Sequence, residues 1–76
     1  MKEFDLEQAK AGKPVCTRDG RKARIICWDK VDPWNSYPIV ALVFISPHCE
    51  EMYDYRINGY KTYFKGRDDL DLFIDE

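Results

Sequence analysis

The stretch Val15-Cys16-Thr17-Arg18-Asp19-Gly20-Arg21-Lys22-Ala23-Arg24-Ile25-Ile26-Cys27-Trp28 decides the fold, because apolar residues recur with a period of two on both sides of Arg18-Asp19-Gly20-Arg21. Period two is the spacing of side chains on one face of a strand, and Gly20 supplies the residue that a tight turn needs at positive φ. Two registers are open. A two-residue Asp19-Gly20 turn pairs Cys16 with Ala23 and leaves Val15 beside Arg24. A three-residue turn with a bulge at Gly20 pairs Val15 with Ala23 and groups Val15, Ala23, Ile25 and Cys27 on one face. The second sorts apolar from charged side chains, and a slip of one residue would invert all of them. The three-residue turn is expected.

Towards the N-terminus, Phe4 to Gly12 reads as a two-turn helix over about residues 5–11. Asp5 is its N-cap, Gln8 at the third helical position completes a capping box, and Gly12 takes the left-handed position after the last turn. Pro14 prevents continuation. Two turns are too few to persist alone in water, so Phe4, Leu6 and Ala9 must dock on something.

Towards the C-terminus, Asp29 to Tyr37 is a loop with Trp28 and Trp34 near its ends. Ile39 to Ile45 is apolar on both alternations and reads as a central strand covered on both faces, by the helix, a barrel interior or a second subunit. After the turn Ser46-Pro47-His48-Cys49, the runs 51–57 and 60–65 flank Asn58-Gly59, a strong hairpin signal. A two-residue turn there pairs Ile57 with Tyr60, Tyr55 with Thr62 and Tyr53 with Phe64. Finally, Leu70, Leu72 and Ile74 alternate with Asp69, Asp71, Phe73 and Asp75, which suggests a short edge strand blunted by acids. No repeat or domain boundary interrupts residues 1–76. The expected fold is mainly β: a short N-terminal helix, then five or six antiparallel strands in meander order over about residues 14–75, as a strongly bent sheet or a small SH3-like barrel. Its core should include Leu6, Val15, Ile25, Ile39, Ala41, Val43, Tyr53, Tyr55 and Phe64.

A chain of 76 residues buries only about 63% of its unfolded surface, leaving a folded surface of roughly 4,900 Å². Domains this small lean on disulfides, a metal, oligomerisation or a dense core. Three cysteines, Cys16, Cys27 and Cys49, make an odd set without CxxC spacing, so reduced thiols are expected and not a disulfide framework. With His48 they are the only soft ligands, but the spacing lacks the knuckles of a zinc site, and no metal or cofactor is expected. Adjacent His48 and Cys49 also suit a nucleophile and base poorly. No glycine-rich phosphate loop, HExxH or GxSxG occurs, so the expectation is a protein that is not an enzyme. The longest apolar stretch is far short of the roughly 20 residues a bilayer-spanning helix needs. Acids and no apolar run follow Met1, unlike a secretory signal, so a cytosolic location is the default.

The formal net charge of −2 conceals a division. Six bases stand against Asp19 between Lys10 and Arg24, and five acids against Arg67 between Gly66 and Glu76. Arg18, Arg21, Lys22 and Arg24, with Trp28 and also Trp34 available to stack, could grip a phosphate backbone. The same charges also keep an exposed turn soluble without any ligand. The doubly apolar strand favours a different partner. With so little chain to cover it, Ile39, Val40, Leu42 and Phe44, with Tyr63, are the candidate interface of a homodimer, and a nucleic-acid-binding module is the alternative.

Lys13-Pro14-Val15-Cys16-Thr17-Arg18-Asp19-Gly20, Tyr37-Pro38-Ile39-Val40 and the Phe4-Asp5-Leu6-Glu7 helix together resemble a group of small uncharacterised proteins from gut Bacteroides-type bacteria and from phages and prophages. The resemblance runs from Phe4 to Phe64 and departs at Asp29 to Ser36 and at Pro47-His48-Cys49. It implies a small β-rich domain of mobile-element origin, and it implies no activity and no catalytic residue.

Overall fold

The turn at Gly20 closes in the three-residue form. Thr17 N–H donates to Arg21 O at 2.8 Å, Gly20 N–H donates to Thr17 O at 2.9 Å, and Gly20 sits at φ 88°. Val15 therefore stands opposite Ala23, as the sorting of apolar residues requires. This is a computed structural model, and it describes residues 1–31, 33, 36–61 and 68–76.

Six strands and one helix follow in the order β1 (Lys2–Glu3), α1 (Leu6–Lys10), β2 (Val15–Thr17), β3 (Lys22–Cys27), β4 (Ile39–Ser46), β5 (Cys49–Tyr55) and β6 (Leu72–Ile74). All pair antiparallel in one sheet of order β1-β6-β2-β3-β4-β5. From β2 to β5 the sheet is a meander. The last strand leaves it and returns to the far side of β2, with Val15 opposite Ile74 and Thr17 opposite Leu72. It is therefore not an edge strand. Leu72 and Ile74 are fully buried, and the two-residue β1 covers the outer flank.

The sheet is not closed into a barrel, and β1 and β5 stand at its two ends. A bond from Leu72 N–H to Gly59 O at 2.9 Å ties the turn after β5 to β6. That turn differs from the two-residue expectation. Arg56 N–H donates to Tyr60 O at 2.9 Å and Gly59 N–H to Arg56 O at 2.8 Å, so Arg56, and not Ile57, faces Tyr60. A three-residue loop needs only one residue at positive φ, which Gly59 supplies at 85°, whereas the two-residue type I′ turn needs two. The expected partners Thr62 and Phe64 lie outside the described residues.

Asp5 caps the helix as expected, with its carboxylate accepting from the N–H groups of Glu7 and Gln8. Gln8 does not close a capping box. Its Nε2 donates at 3.3 Å to the Asp5 carboxylate and not to a backbone group. The helix docks Ala9 against Val15 and Ile74, while Phe4, Leu6 and Trp28 pack over Ile39, Ala41, Tyr55 and Leu72. Of the expected core, Val15, Ile39, Ala41, Val43 and Tyr55 are buried and Leu6, Ile25 and Tyr53 half-buried. The accessible surface is 5193 Å², close to what size alone predicts.

Candidate functional site

The helix covers one face of the sheet, so the two alternations of β4 meet different surroundings. Ile39, Ala41 and Val43 point into the core and have no exposed surface. Ile39 is thus enclosed by its own chain and offers nothing to a partner, which removes it from the candidate interface. Val40, Leu42 and Phe44 point to the opposite face. Val40 is 9% exposed, Leu42 is half-buried and Phe44 is 42% exposed. Tyr63 lies outside the described residues.

The register places neighbours around these three in columns. Leu42 stands between Arg24 on β3 and Met52 on β5, Phe44 pairs with Glu50, and Val40 pairs with Asp54. Ile26 lies on the face of Arg24 by the period of β3, and a bulge between Ile25 and Cys27 brings Cys27 opposite Val40 on that same face, instead of grouping it with Val15, Ala23 and Ile25 as the sequence suggests. Ile26, Phe44 and Met52 are all exposed large apolar side chains, so the outer face carries an apolar strip, which the Arg24–Glu50 ion pair crosses from β3 to β5 between Leu42 and Phe44. Its flanks are charged. Lys22 and Arg24 lie on the β3 side, Glu50 and Asp54 on the β5 side. Arg24 grips Glu50 with two hydrogen bonds of 3.0 and 2.9 Å, which hold the Glu50 carboxyl below its ordinary range. Lys30 Nζ lies 2.6 Å from Asp54. Met52 and Ile26 carried no sign of an interface role in the sequence. Ile26 shares the face of Arg24 by the period of β3, and the place of both beside Leu42 depends on the strand pairing.

The basic turn is assembled differently from a phosphate grip. Arg18 donates to the Asp71 carboxylate at 3.2 Å and to Asp68 O at 3.3 Å. Arg21 donates to Asp19 at 3.1 Å and to Ile45 O at 3.3 Å. With Arg24 on Glu50, all three guanidinium groups are engaged inside the chain. Lys22 is exposed and has no ion pair among the described residues. Trp28 lies about 20 Å further along the strand direction from the turn, half-buried against the helix side of the sheet, with Lys10 Nζ 5.9 Å from its ring centre. The candidate contact residues therefore do not converge, and Trp34 lies outside the described residues.

What holds the basic turn is the acidic tail. Arg18 N–H donates to Asp71 O and Asp19 N–H to Asp69 O, so the turn is zipped to the chain entering β6. The pivot is Asp71, whose alternation with apolar residues suggested an exposed edge. It is 1% exposed and accepts from Arg18, Asp68 N–H and Lys61 N–H. Only the long-range return of β6 to β2 could have identified it.

The three thiols are free. Cys16 is buried, and burial followed by the Asp75 charge pushes its thiol up; Cys27 is half-buried beside Asp29, and Cys49 is exposed. Cys27 lies near Val40, while His48 and Cys49 sit at the other end of β4. No helix among the described residues is long and apolar enough to cross a membrane.

A family model described as Haemophilus phage HP1 protein YO09 matches residues 1–73, and the chain belongs to that family. The phage side of the resemblance stands on this match, which says nothing of Bacteroides-type bacteria. No curated protein and no solved structure matches.

Proposed function

We propose that this member of the Haemophilus phage HP1 protein YO09 family is a protein-interaction module without enzymatic activity, and that its partner is a second copy of itself. The observation that carries this reading is the outer face of β3, β4 and β5, where Ile26, Phe44 and Met52 remain exposed around Leu42. Three strands and five residues along them span about 14 by 17 Å. That is small beside the roughly 800 Å² per partner of a stable interface, so the association belongs to the weak, reversible class. Charges of both signs border the strip, as a self-complementary surface requires. Nucleic-acid contact through Arg18, Arg21, Lys22 and Arg24 has less support, because three of the four side chains are bonded to groups of their own chain.

Sedimentation velocity from micromolar to millimolar protein tests the reading. A dimer fraction that rises with concentration, and that Phe44→Glu abolishes, is the expected result. A chain that stays monomeric across this range overturns it.

A further inference from the structure

The outer face has a polarity that a homodimer can use. Reading across the sheet at the level of Phe44, the order is Lys22, Phe44, Glu50; at the level of Leu42 it is Arg24, Leu42, Met52; at the level of Val40 it is Ile26 with Cys27, Val40, Asp54. The β3 flank carries the cations and the β5 flank the anions; the middle column is apolar, and the Arg24–Glu50 ion pair crosses it between Leu42 and Phe44.

Packed sheets keep their strand directions within about 30° of each other. Two arrangements therefore place β4 on β4 about a two-fold axis lying between the copies. An axis perpendicular to the strands sets Arg24 on Arg24 and Glu50 against Asp54, which juxtaposes like charges. An axis along β4 exchanges the flanks. It sets Lys22 of each copy against Glu50 of the other, places Arg24 level with Met52 of the other, and brings Phe44, Leu42 and Val40 each near its own counterpart. Lys22 is exposed and has no ion pair among the described residues, and Glu50, already held by Arg24, retains acceptor capacity.

We infer that the two copies meet face to face about an axis running along β4, with Lys22 of one facing Glu50 of the other; this rests on the self-association reading. Opposed charges at the rim then select the register while the apolar column supplies the contact.

Dissociation constants from sedimentation equilibrium, with circular dichroism to verify folding, test the orientation. Lys22→Glu and Glu50→Lys should each weaken the dimer by about fivefold or more, and the double exchange should restore most of the loss. Glu50→Gln, a milder change, should weaken it less. The perpendicular axis makes the opposite forecast, because Glu50→Lys then faces Asp54 and tightens the dimer. If the unaltered chain is monomeric, the function proposed above falls and the orientation with it. If Phe44→Glu leaves the dimer intact, another surface is used and the orientation is overturned. If Phe44→Glu abolishes association while Lys22→Glu has no effect or Glu50→Lys tightens it, the face stands and the axis is wrong.

Discussion

Arg18 Nη2 lies 3.2 Å from the carboxylate of Asp71, 53 positions further along the chain, and Asp71 is 1% exposed. The pair fastens the turn between β2 and β3 to the chain entering β6. Arg18 adds a second contact, its guanidinium lying 4.7 Å from the centre of the Phe73 ring.

Removing the acid should therefore do more damage than removing the base. Asp71→Ala leaves a partly buried guanidinium and two N–H groups without their acceptor, and should cost about 3 kcal/mol in urea unfolding. Arg18→Met keeps the bonds from Asp68 N–H and Lys61 N–H and should cost distinctly less. Equal losses would mean that Asp71 acts only through Arg18.

Gly59 and Gly20 both occupy positive φ, yet they should differ in their tolerance of alanine. A Cβ on Gly20 meets nothing within 4 Å, so Gly20→Ala should cost only the backbone strain, about 1 kcal/mol. A Cβ on Gly59 would lie 2.7 Å from Phe4 Cγ, so Gly59→Ala should cost more. Combining Gly59→Ala with Phe4→Ala should be less than additive, as thermal melts of the four-membered cycle would reveal.

Tyr55 is fully buried, and its hydroxyl donates to Leu70 O at 2.8 Å. Tyr55→Phe orphans that carbonyl and should cost about 1 kcal/mol, a fall in Tm of about 4–8 °C for a domain of this size. Burial pushes the phenol well above its ordinary value. A raised folded-state value gives stability that is present below the unfolded pKa, near 10, and lost as pH rises from there towards the folded value. Alkaline unfolding should thus be less steep in Tyr55→Phe than in the unaltered chain, above whatever baseline the other tyrosines set.

At the acidic end the sign reverses. The Thr17 hydroxyl, followed by Arg21, holds Asp19 below the usual carboxylate range. A lowered value gives stability present above the unfolded pKa, near 3.9, and lost as pH falls from there towards the folded value. Asp19→Asn should flatten the decline in stability over that window while leaving the slope near neutrality unchanged. An identical acid limb in both proteins would show that this carboxylate does not couple to folding.

Local signals in the chain were enough for much of the fold. Asp5, Pro14 and Gly12 mark out the helix, and the sorting of Val15, Ala23 and Ile25 chooses the register of β2 on β3, because turn chemistry and side-chain period act between near neighbours. Asn58-Gly59 shows where such reasoning stops. The dipeptide marks a turn, but Phe4 lies close over Gly59, and the Arg56 and Tyr60 pairing completes a three-residue loop that pattern alone did not select. The candidate interface was half legible. Phe44 and Leu42 were visible as excess apolar residues, whereas Met52 and Ile26 joined them through the pairing of β5 and β3 with β4.

Composition and period by themselves determined a small, mainly β domain with an amphipathic helix, a basic turn and an acidic tail. Only the tertiary structure decided that the tail returns to the turn, that Asp71 is buried, and that one alternation of β4 is core while the other faces solvent. A strand's period tells which residues share a face. Which face the helix covers, and which strand lies beside which, depend on contacts between residues far apart in the chain, where no local preference reaches.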